Sequence, residues 1–198
     1  MFSGCISLVQ APELPATTLD NRCYSNMFSG CSSLVHAPST LPATTLAKDC
    51  YSGMFKKCTA LIEAPTLPAD KLANACYDVM FSGCTSLTTA PELPATTLEP
   101  NCYNAMFSSC SSLTQAPVLP ATVLAPYCYF HMFSGCSKLN YVKAMFTTDP
   151  SDLTNLMNAY VIDWLSDVSS TGTFVKNSAA TWTKEQAGIP TGWTVETA

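Results

Sequence analysis

The chain has 198 residues, of which 47% are hydrophobic and only 12% charged, with a net charge of −5. Nine basic residues, none of them clustered, argue against a nucleic-acid partner, because phosphate binding needs grouped Lys and Arg. No apolar run approaches the length of a membrane span, which leaves enough chain for one elongated domain with a terminal cap.

The first element is the pentapeptide MFSGC at Met1. It has the look of a lipidation signal ending at Cys5, but no charged segment and no apolar segment precede it. The same stretch returns at Met27, Met80 and Met132, and as MFKKC and MFSSC at Met54 and Met106. The six methionines are spaced 26, 27, 26, 26 and 26 residues apart, which is the signature of a stacked repeat whose units are too small to bury their own apolar faces. The one extra residue lies in APSTLPA of the second unit, which marks a turn or strand end at that point.

Each unit is read from its threonines. The column Thr17, Thr44, Asp70, Thr96 and Thr122 has N-cap chemistry. A helix is therefore predicted over the following LxxxCYxxMF, in which Leu, Cys and Met at i, i+4 and i+8 share one face. Pro100 and Pro126 conflict with its first turn. Gly30, Gly83 and Gly135 then fit a left-handed position closing that helix, with Lys57 and Ser109 in the same place elsewhere. The segment xxLxxAPxLP begins at Leu8, Leu34, Leu61, Leu87, Leu113 and Leu139. Its prolines impose an extended path but a sparse ladder, which predicts very short parallel strands in a sheet about six strands wide.

GCxxLxxAPxLPxxxL followed by CYxxMFxGC resembles the BspA-like leucine-rich-repeat surface proteins of gut and oral bacteria, over about residues 1 to 143. The chain departs from that pattern where Ala and a Pro-spaced Leu replace two branched strand residues. The resemblance implies cell-surface display or secretion, adhesion, and contact with a protein or a glycan, and it implies no catalysis and no cofactor. The expected fold is an α/β, right-handed leucine-rich-repeat solenoid with short parallel strands and short helices over 1–143, plus a small α+β C-terminal cap over 144–198.

The eleven cysteines form two columns, one from Cys5 to Cys136 and one from Cys23 to Cys128. Buried free thiols, disulfides and a metal site are the three readings. Along a mostly helical path Cys23 and Cys31 would lie about 10–12 Å apart, beyond the roughly 7 Å that a disulfide allows between Cα atoms, so only pairs between repeats could form. No CxxC or CxH spacing supports a metal site.

After Leu139 the repeat lapses. Leu153, Leu156, Met157, Tyr160, Val161, Trp164, Leu165 and Val168 follow helical spacing, with Ser151 as N-cap, and predict an amphipathic helix. Two short strands follow, around TGTFVKN and GWTV, with Trp182 and Trp193 placed to seal the last repeat. Met1 occupies an internal repeat position, so the chain reads as a fragment or as starting within a repeat.

No catalytic constellation is present. His36 and His131 lie in different parts of different repeats, and FSGC lacks the spacing and the Lys of a phosphate loop. The position just before Ala-Pro varies while its neighbours do not: Gln10, His36, Glu63, Thr89, Gln115 and Tyr141. With Ala pointing inward these six point outward on the sheet face and form the candidate binding face. Free drift at exposed positions is the other reading of that variation. The expected function is non-catalytic binding at a cell surface. A glycan-binding module, for which Tyr141 is the one aromatic candidate, and a structural spacer or stalk are the alternatives.

Overall fold

The computed structural model describes residues 1–151 and 159–198. There is no α-helix among the described residues. The regular strands are β1 (Tyr141–Ala144), β2 (Gly172–Lys176) and β3 (Trp193–Thr197), in one parallel sheet ordered β1-β2-β3. This overturns the expected α/β leucine-rich-repeat solenoid with short helices. The units do stack as coils, but where helices were predicted each coil has a run of successive turns, at 21–30, 48–57, 74–83, 100–109 and 126–135.

The turn runs explain the misreading. Burial repeats every four residues: Cys50 and Tyr51, Met54 and Phe55, then Cys58 face the core, and the residues between them face outward apart from Gly53. An i, i+4, i+8 apolar series fits this period as well as it fits a helix. Every fourth residue is left-handed, as in Arg22, Asn26 and Gly30 of the second coil (φ 61°, 54° and 76°) or Asp49, Gly53 and Lys57 of the third (φ 55°, 62° and 59°). That conformation breaks the i→i−4 ladder of an α-helix. Alternate N–H groups instead close turns within the coil, as Cys23 N→Asp20 O (3.3 Å) and Ser25 N→Arg22 O (3.1 Å). The N–H groups between them point along the stack and donate to the next coil: Arg22→Lys48, Tyr24→Cys50, Asn26→Ser52, Phe28→Met54 and Gly30→Lys56, at 2.7–3.0 Å. Pro100 and Pro126 cost nothing here, since each begins a run and its carbonyl accepts from the coil before, from Ala75 and Asn101. The threonine column caps no helix; Thr17, Thr44, Asp70, Thr96 and Thr122 are exposed.

The predicted C-terminal helix is corrected in the same way. Leu153, Leu156 and Met157 lie outside the described residues, and 159–168 is not helical. It forms the turn run of a seventh coil: Tyr129, His131, Phe133 and Gly135 donate to the carbonyls of Tyr160, Ile162, Trp164 and Ser166, and Asp163 and Asp167 take the left-handed positions (φ 51° and 55°). Trp182 and Trp193 are buried beyond this coil, with indole N–H groups donating to Phe146 O (3.2 Å) and Ser169 O (2.7 Å).

One continuous core runs through the coils. Leu34, Leu61, Leu87, Leu113 and Leu139 are fully buried in it. Two aromatic files thread it. Phe2, Phe28, Phe55, Phe81, Phe107 and Phe133 stack at 5.5–5.7 Å between centroids. Tyr24, Tyr51, Tyr77, Tyr103 and Tyr129 stack at 5.7–6.1 Å and end on Trp164. Near-parallel rings at these separations are offset stacks, which add to the area term. The cysteine column has its own bond: the thiols of Cys31, Cys58, Cys84, Cys110 and Cys136 donate to the carbonyls of Phe2, Phe28, Phe55, Phe81 and Phe107, one coil back, at 3.0–3.2 Å.

Candidate functional site

The extended side of each coil carries the six candidate residues. Single-residue parallel bridges join Gln10 to His36, His36 to Glu63, Glu63 to Thr89 and Gln115 to Tyr141, and β1 continues the file from Tyr141. The first five are exposed and Tyr141 is half-buried. The residue after each of the first five is alanine, and Val142 follows Tyr141. Ala11 is buried, and Ala37, Ala64, Ala90 and Ala116 are half-buried. From the second coil to the fifth the next residue, Pro38, Pro65, Pro91 or Pro117, is buried. The chain therefore dips inward between the candidate column and the column Ser39, Thr66, Glu92 and Val118.

The dip makes two clefts in line along the stack. One, of about 480 Å³, lies between His36 and Glu63 on one side and Ser39 and Thr66 on the other, over Ala37 and Ala64. The second, of about 310 Å³, lies between Thr89, Gln115 and Tyr141 and the facing Glu92 and Val118, over Ala90 and Ala116. Val9, Ile62 and Val118 expose 53%, 46% and 42% of their surface on this side, which puts apolar area beside the polar column. Glu13 and Glu92, each one residue past the proline of Ala-Pro, are both exposed. Glu13 is held by the backbone N–H and hydroxyl of Ser39, each donating at 3.1 Å. The facing column was missed in the sequence, although its variability beside constant Ala, Leu and Pro was the available signal.

The cysteine thiols lie mostly away from this face, in the core. All eleven cysteines are free and nine are buried; Cys23 is exposed and Cys5 half-buried. Burial pushes the thiols of Cys50, Cys58, Cys128 and Cys136 up to about 12, so they stay protonated at neutral pH. His131 takes a left-handed position in the turn run of the sixth coil, edge-on to Phe130, while His36 stands on the extended face. Among the described residues no group of three or more His, Cys, Asp or Glu could hold a metal ion, and no helix is long and apolar enough to cross a membrane. Comparison with protein-family models, with curated proteins and with solved structures returns no match in any of the three.

Proposed function

We propose that this chain is a non-catalytic binding protein that uses its extended face. The observation that supports this reading is the file of exposed, variable side chains, one per coil, lining two aligned clefts floored by alanine. Repeat proteins commonly use such extended surfaces for recognition. Display at a cell surface and an adhesive role follow from the repeat motif's resemblance to BspA-like proteins, not from the geometry. The test is binding of the purified chain to an array of host glycans and extracellular-matrix proteins, beside a variant with His36, Glu63, Thr89 and Gln115 changed to Ser. A ligand lost in the variant supports the reading. No ligand, or one bound equally by both, refutes it and favours a spacer, a role suited to the unbroken hydrogen-bond and aromatic files along the stack.

A further inference from the structure

The partner's chemistry can be argued from the charge of this face, an inference that rests on the proposed function above. The extended segments of the first five coils, 6–16, 32–43, 59–69, 85–95 and 111–121, hold three carboxylates, Glu13, Glu63 and Glu92, and no Lys or Arg. Basic residues of these coils stand elsewhere, as Arg22, Lys48, Lys56 and Lys57 in the turn runs. Glu13 is satisfied by Ser39. Glu63 stands exposed beside Ile62 in the first cleft, and Glu92 stands exposed beside Val118 on the facing column of the second, one coil further on. An isolated pair of surface carboxylates is unremarkable, but here they lie on a line of two alanine-floored clefts of mixed polar and apolar lining that contain no Lys or Arg, the nearest basic residue in sequence being Lys143, two residues past Tyr141 in β1.

We propose that the channel takes an extended, cationic polypeptide segment, with Lys or Arg side chains reaching Glu63 and Glu92 and small apolar side chains on the alanine floor. The length is consistent: four coil steps from His36 to Tyr141 span about 19 Å at strand spacing, or about six residues of extended chain. Charge on both walls fixes register and speeds encounter more than it raises affinity.

The test is fluorescence anisotropy of the intact chain with labelled extended peptides that alternate valine with lysine, serine or glutamate. The lysine peptide should bind best and weaken with salt. Changing Glu63→Gln and Glu92→Gln together should lower its affinity about tenfold, the effect of two surface ion pairs, and should flatten the salt dependence. Ala64→Met, which fills the floor, should abolish binding while circular dichroism and thermal unfolding report an intact fold. Absence of lysine-peptide binding, or affinity indifferent to the paired Gln variant, overturns the inference. If a glycan or uncharged ligand from the array is lost in Ala64→Met, the face is still a binding site and only the cationic partner is wrong. If no ligand is lost in either Ala64→Met or the four-residue Ser variant, both readings fall.

Discussion

Asp78 gives the sharpest test of the turn-run geometry. Its carboxylate follows Tyr77 in the fourth coil and reaches back to Ser52, whose hydroxyl donates to Oδ2 at 3.4 Å, while Oδ1 is buried with no partner. Burial raises its pKa from 3.8 to about 6 against the Ser52 bond; Asp49 adds to the rise and Lys56 opposes it. The folded state therefore holds the proton more tightly than the unfolded chain does. This group's contribution to stability is full below about pH 4 and is lost as pH rises through about 6. A fully desolvated group shifted this far would account for about 3 kcal/mol. Asp78 is only half-buried, and solvent screening brings the expected effect to about 1–2 kcal/mol. Asn104 occupies the same position one coil on, so an amide fits there. Asp78→Asn should therefore stabilise the protein by about 1–2 kcal/mol at pH 7.5 and by almost nothing at pH 4. Urea unfolding followed by tryptophan fluorescence at both pH values measures the difference. A gap independent of pH, or a variant less stable at pH 7.5, refutes the reasoning.

Three further outcomes are expected. Leu87 is fully buried at the start of an extended segment, and Leu87→Ala should cost about 2–5 kcal/mol through the cavity it leaves; a change near zero in chemical denaturation would place that column outside the core. Val79 is β-branched at φ 47°, in a column that also holds Asn26, Gly53 and His131. Val79→Asn should raise stability by about 0.5–1 kcal/mol by easing left-handed strain, and a lowered thermal midpoint would count against strain at that position. Thiol titration of the native protein at pH 8 should detect Cys23 first and Cys5 more slowly, and all eleven only after unfolding without reductant. A native count near eleven would contradict the buried columns.

The repeat, its register and its inward Leu, Cys, Met and Phe columns were legible because each answers to burial, which leaves a mark at a fixed position. The backbone path between them was not. Cys50, Met54 and Cys58 drift only about 40° per step on an α-helix, so adjacent Tyr51 and Phe55 still make a plausible apolar stripe. The contrary signal was Gly53 in mid-helix, four residues before Lys57, and likewise Asn26 four before Gly30. Read as a period of four, these mark left-handed positions and not a poor helix. Asp163 and Asp167 carry the same signal in the seventh coil, where apolar spacing alone suggested a helix. On the extended face the outward column was legible from its variability. The channel beside it was not, since it arises from Pro38, Pro65 and their equivalents turning inward.

The same geometry explains why local pattern could not suffice. Three left-handed residues per coil cost a single unit about 3–6 kcal/mol when they are not glycine, with nothing inside the coil to offset them. Their N–H groups find acceptors only in the next coil, as Asp49 and Lys57 do at Asn74 and Ser82. One coil alone would therefore abandon this conformation, and a neighbour makes it favourable. Stability must then grow with each junction, as in other nearest-neighbour repeat arrays. Along the stack the turn runs of the second to fifth coils each donate five such bonds to the coil that follows, while that of the first donates two, from Phe2 and Gly4. The ladder thus predicts an order of loosening: amide exchange should be fastest in the first coil and slowest in the turn runs between Asp49 and Ser109, where neighbours on both sides hold the left-handed residues in place.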